Sequence, residues 1–209
     1  EAYREILSLE PTSSYILCNM GECFERLSEF DKAEDYYKQS LELDPEFSDA
    51  FVGLGILSDL QSLPSVAVQY FEHAVNLDSK NTDYRLLLAT SLIKVGKPKE
   101  AEKQFTIVLE RDPKCEDAWE GRIDNLQQID AHEAALEALE QGLSIVKDPT
   151  HLLYQQVVSL YKCGKETQAI DLFEQLLTHT FDSSSRMIDS FPELLDDTRI
   201  AEVYTRLKP

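Results

Sequence analysis

The chain has 209 residues, and its 20 Lys and Arg face 39 Asp and Glu, a formal net charge of −19. A surface of that sign repels phosphate backbones and anionic headgroups, which argues against nucleic acid and bare membrane as partners. Hydrophobic residues make up 43% of the chain, enough for a continuous core, yet no apolar run approaches the ~20 residues that span a bilayer.

The opening stretch, Glu1 to Leu9, carries Tyr3, Ile6 and Leu7 and closes at Pro11; it reads as the second helix of a unit whose first helix is absent. An uncovered repeat edge predicts self-association through these three residues. From residue 14 to 47 a full helix pair is predicted. Its first helix holds Leu17, Met20, Gly21 and Phe24 on one face, and its second holds Ala33, Tyr37, Ser40 and Leu41 before Pro45 stops it. Residues 48–81 repeat the pattern with Phe51, Leu54, Gly55, Ala67, Phe71 and Ala74, and Pro64 opens the second helix, where a missing N–H costs nothing. Residues 82–115 bring Leu88, Ala89, Leu92, Ala101 and Phe105, with Gly96 at the turn. Residues 116–149 bring Trp119, Leu126, Ala135 and Leu139, and residues 150–183 bring Leu153, Leu160, Ala169 and Phe173, with Gly164 at the turn. Beyond Ser183 the period fails. There a short helix ending near Phe191, a break at Pro192 and an amphipathic helix from Thr198 to Leu207 read as a cap over residues 184–209.

Ala33, Ala67, Ala101, Ala135 and Ala169 therefore recur every 34 residues, with Tyr37, Phe71, Phe105, Leu139 and Phe173 four places later. Repetition of that length predicts an all-α solenoid of helix pairs, each buried by its neighbours. The arrangement resembles the tetratricopeptide repeat (TPR) family across residues 14–183. Its tryptophan-like residue, Leu-Gly pair and tyrosine-like residue on the first helix, its Ala-aromatic-Ala on the second and its closing Pro are filled by Leu17, Met20-Gly21, Phe24, Ala33, Tyr37 and Pro45 in the first unit. Departures stand at Ser40, at Arg85 in place of a bulky apolar residue, at Arg122 and Gln156, and at Ser79 and Lys147 in place of the closing proline.

Chemistry is sparse. His73, His132, His151 and His179 are isolated, and His132-Glu133 lacks the second histidine of a zinc-protease helix. Gly164-Lys165-Glu166-Thr167 and Gly96-Lys97 lack the strand and preceding glycine of a phosphate loop. Catalytic residues, metal sites and cofactors are not expected, and the reading is non-enzymatic. Cys18, Cys23, Cys115 and Cys163 form no CxxC pair, so reduced structural thiols and a cytoplasmic location are expected.

What remains is surface. The resemblance implies that the first helix of each unit turns the face opposite its packing stripe toward a concave groove. That face offers acids (Glu22, Asp49, Asp59, Asp83, Asp117, Glu120, Asp124), an apolar middle (Val52, Ile56, Leu86) and aromatics at one end (Tyr154, Tyr161). Gln127, His151 and Val158 share it. The Lys and Asn with which chaperone-binding TPR adaptors grip an acidic C-terminus are replaced here by Cys18 with Glu22 and Glu120 with Asp124. No Lys or Arg stands between Lys38 and Lys80, and residues 116–149 hold nine acids against Arg122 and Lys147. A protein-interaction module for a basic, partly apolar segment is therefore expected. The alternative is a regulatory or substrate-recruiting array cut from a larger enzyme or secretion-type assembly, which the half-unit at Glu1 would suit.

Overall fold

The computed structural model describes residues 13–180 and 184–207; the half-unit expected at residues 1–9, and its self-association, lie outside the described residues. Twelve α-helices and one 3-10 helix, with no strand, make up the described residues. They are α1 (Ser14–Arg26), α2 (Phe30–Leu43), α3 (Ser48–Leu60), α4 (Pro64–Leu77), α5 (Thr82–Lys94), α6 (Pro98–Arg111), α7 (Glu116–Gln128), α8 (His132–Leu143), α9 (Thr150–Lys162), α10 (Glu166–Thr180), α11 (Ser184–Ser190), the 3-10 helix Pro192–Asp196, and α12 (Thr198–Leu207). The helices group into two compact units, residues 1–104 and 105–209.

All five ladder alanines are completely buried. Large rings of the second helices lie directly on small residues of the first. A Cβ added to Gly21 would meet the Tyr37 ring at 2.7 Å, and one added to Gly121 would meet the Phe105 ring at 2.7 Å. Interiors pack too densely to admit that extra atom without moving the ring.

The turn inside each pair has one geometry throughout. Ser28, Ser62, Gly96, Asp130 and Gly164 stand 34 residues apart, and each has a left-handed φ between 57° and 75°. The residue after each donates its N–H five residues back, from Glu29 to Phe24, Leu63 to Ser58, Lys97 to Leu92, Ala131 to Leu126 and Lys165 to Leu160. These are Schellman closures, which satisfy carbonyls left open at a helix end. Between pairs, Asp44, Asp78 and Asp112 accept from backbone N–H groups two residues on, at 3.0, 3.1 and 3.0 Å, which turns the chain back.

The departures from the repeat pattern have partners. Ser40 is buried, and its hydroxyl donates to the Ser14 carbonyl at 2.7 Å. Arg85 sends Nε and Nη2 to the Ser79 carbonyl at 3.2 and 2.9 Å, and Nη1 to Gln104 Oε1 at 2.8 Å. One repeat later, Trp119 sends its indole N–H to the Pro113 carbonyl at 2.9 Å. Both donors reach six residues back, so the guanidinium does the work of the indole N–H.

Beyond Ser183 the packing continues after the sequence period has faded. Met187, Leu194 and Val203 follow Leu153, Leu160 and Ala169 by 34 residues. They are buried in one core with Tyr154, Phe173 and Leu176. Residues 184–207 therefore form a sixth, incomplete pair. Its first helix is broken into α11 and the 3-10 helix at Pro192, and Val203 replaces the ladder alanine.

Candidate functional site

In the first unit the acids expected on the open face divide by role. Glu22 is exposed and pairs with Arg26 one turn on, at 2.6 Å. Asp83 is exposed in the first turn of α5, while Val52, Ile56 and Leu86 are half-buried. Asp49 accepts from the Tyr84 hydroxyl across to the next pair. Asp59 accepts from Ser91 Oγ at 2.9 Å and pairs with Lys94 Nζ at 2.8 Å. These last two carboxylates tie successive first helices together, and a ligand would have to compete for them. The field of the group is still felt at Cys18. Its thiol is pushed up to about 12 by burial first, then by Asp49, Glu22 and Glu25.

In the second unit, Asp117 is exposed at the start of α7. Glu120, its side chain 29% exposed, lies with its carboxylate 3.6 Å from His151 Nε2. Asp124 is half-buried and accepts from Gln155 Nε2. The two tyrosines differ from expectation. Tyr154 has no exposed surface, with its ring edge-on to Phe173 at 6.4 Å between centroids, so it cannot anchor a partner. Tyr161 is half-buried and donates its hydroxyl to Asp197 at 2.9 Å. The sixth pair covers this end of the face, because Met187 and Leu194 share the core with Tyr154. Asp197 also takes the Arg199 guanidinium, which with the tyrosine hydroxyl holds its carboxyl well below the usual range.

One inter-helix contact repeats two units apart. Asp59 meets Ser91, and Gln127 donates Nε2 to Ser159 Oγ at 2.8 Å; both serines are fully buried. Gln127, expected on this face, and Gln155, which sequence pattern did not single out, are buried polar residues of the second unit. A signal did exist: Gln155 occupies the repeat position held by Gly53 and Gly121, where a long amide has to reach a neighbour. Among the described residues no cluster of His, Cys, Asp and Glu could hold a metal ion, and no helix is long and apolar enough to cross a membrane. The four cysteines are free thiols, with Cys18 buried and Cys23 exposed.

Two tetratricopeptide repeat models match the chain, at residues 14–47 and 64–122. The chain is a tetratricopeptide repeat protein. Human protein O-mannosyl-transferase TMTC1 is 27% identical over 64% of the chain, and human tetratricopeptide repeat protein 6 is 25% identical over 75%. The chain spans only 15% and 30% of the length of those relatives. Among solved structures, YrrB, described as a TPR protein with an unusual peptide-binding site, aligns over 98% of both chains at 20% identity with a TM-score of 0.72. MamA aligns over 88% of this TPR chain and 94% of its own, at 18% identity and a TM-score of 0.69. At such identities the likeness establishes the fold. TPR proteins generally mediate protein–protein interaction.

Proposed function

We propose that the array is a non-enzymatic interaction module that docks a basic, partly apolar protein segment against the acid-bearing faces of its first helices. The observation that carries this reading is the spacing of Asp117, Glu120 and Asp124 along one face of α7, with only Arg122 as a basic residue on that helix. Acids so placed steer cationic segments and set their on-rate and salt sensitivity. In the first unit burial raises the Cys18 thiol first, and Asp49, Glu22 and Glu25 add to it, which supports the same reading. The four free thiols suit a cytosol-like compartment.

The test uses a fluorescein-labelled peptide of alternating Lys and Leu, with a Glu-Leu peptide as control. Since Asp124 also holds Gln155, it is changed conservatively, in the variant Asp117→Lys, Glu120→Lys, Asp124→Asn. Circular dichroism should stay helical while affinity for the Lys-Leu peptide falls at least tenfold and its salt dependence flattens. Unchanged binding, or preference for the Glu-Leu peptide, would overturn the reading. A second reading, an array that recruits substrates for a larger enzyme, draws on the match to a transferase over 15% of that relative's length. Sequencing the parent reading frame on both sides separates the two.

A further inference from the structure

We infer that the second unit contains a seat for one lysine ammonium of the docked segment. This rests on the proposed docking face and names what that face selects. A small cavity opens where α7, α9 and α11 meet. Asp124, Gln127 and Gln155 form its polar side, beside His151. Tyr154, Val158, Met187 and Phe191 form its apolar side.

Two amides define the chemistry. Gln127 and Gln155 are only 2% and 4% exposed. Gln127 Nε2 donates to the Gln155 backbone carbonyl at 2.7 Å and to Ser159 Oγ at 2.8 Å. Gln155 Nε2 donates to the Glu120 backbone carbonyl at 3.4 Å and to the Asp124 carboxylate. Carbonyl and carboxylate oxygens only accept, so neither amide can be turned over without setting oxygen against oxygen. Each Oε1 is thus fixed as an acceptor, and among the described residues neither has a donor. Buried acceptors left without donors are rare and call for an occupant.

That occupant brings hydrogen-bond donors and positive charge to two carbonyl oxygens and a carboxylate. An ammonium has three donors and no acceptor. Size narrows the choice further. The space open to the centre of a water-sized group is about 20 Å³, room for about one such group. An ammonium fits there, and a planar guanidinium with three nitrogens does not. The aliphatic stem of a lysine would lie along Val158, Met187 and Phe191 with its head on the acceptors, as lysine stems do on apolar surface.

The test titrates the isotope-labelled chain with Ac-Ala-Leu-Lys-Leu-Ala-NH2 and with analogues carrying norleucine, arginine or trimethyl-lysine in place of the lysine. The lysine peptide should shift the side-chain amide signals of Gln127 and Gln155 and bind at least tenfold tighter than the other three. Asp124→Asn should remove that advantage. Equal binding of lysine and arginine peptides, with a salt dependence but no shift at the two amides, would overturn the seat and leave the docking face standing. Failure of every basic peptide would overturn both. A crystal of the lysine complex in which a water keeps the cavity would also overturn the seat.

Discussion

At the scale of single residues, the two cysteines on α1 illustrate how burial sorts identical chemistry. Cys18 is 8% exposed and Cys23 lies open on the same helix. Since the thiolate is the reactive form, iodoacetamide at pH 8 should label Cys23 and spare Cys18, as read by peptide mass spectrometry. The same shift has a stability consequence. The folded thiol, raised to about 12, keeps its proton where the unfolded thiol, near 9, has lost it. Stability is therefore complete below about pH 9 and declines as pH rises from there toward 12, and Cys18→Val should flatten that decline. Arg85 offers a second test, because its guanidinium occupies the place of the Trp119 indole N–H. Arg85→Trp should stay within about 1.5 kcal/mol of the parent in urea unfolding, whereas Arg85→Ala should cost about 2–3 kcal/mol through lost packing and an abandoned carbonyl.

At the scale of elements, the turn residues carry the clearest leverage. Ser28, Ser62 and Asp130 hold a left-handed backbone that L side chains adopt at a cost, where Gly96 and Gly164 hold it freely. Changing any one of the three to Gly should raise stability by about 0.5–1 kcal/mol, additively because the turns are far apart in sequence and share no partner. Loss of stability at all three sites would mean that the side chains themselves hold the turns.

The helix pairs were legible in the sequence because alanine spacing and aromatic spacing agree, and burial of all five ladder alanines follows from that register. The helices of the sixth pair were legible, with their break at Pro192, but their alignment with the repeat was not, because Val203 stands on the ladder and Pro192 splits the first helix. Tyr154 was misplaced for the same reason: a face reads as open when the helix that covers it is recognised as a cap but not as the next pair. Asp49, Asp59 and Asp124 were placed on the right helices, but periodicity assigns a side chain to a face and says nothing of the neighbour it bonds.

At the scale of the whole chain, a net charge of −19 opposes compaction. Between about 10 mM and 150 mM salt the Debye length falls from roughly 30 Å to 8 Å, so the melting temperature should rise over that range. The sixth pair should respond the opposite way. It is fastened by Arg199 to Glu166 at 2.5 Å, Arg206 to Glu174 at 2.6 Å and Lys162 to Glu193 at 2.6 Å, exposed pairs that salt weakens. Hydrogen exchange should show residues 198–207 losing protection as salt is raised while the helices before them gain it. A uniform response along the chain would contradict that division.

The incomplete pair also ties the cavity to the last part of the array. Met187 and Phe191 are wall of the cavity and part of the tail at once, so the cavity exists only while the tail is seated. Occupancy and seating are then linked equilibria. Whatever factor the seated tail contributes to affinity, an occupant must return to the tail as resistance to opening. The lysine peptide should accordingly slow exchange throughout residues 187–203, including amides it never touches, and a variant such as Leu194→Ala that loosens the tail should weaken the peptide in proportion to the fraction of chains whose tail it unseats.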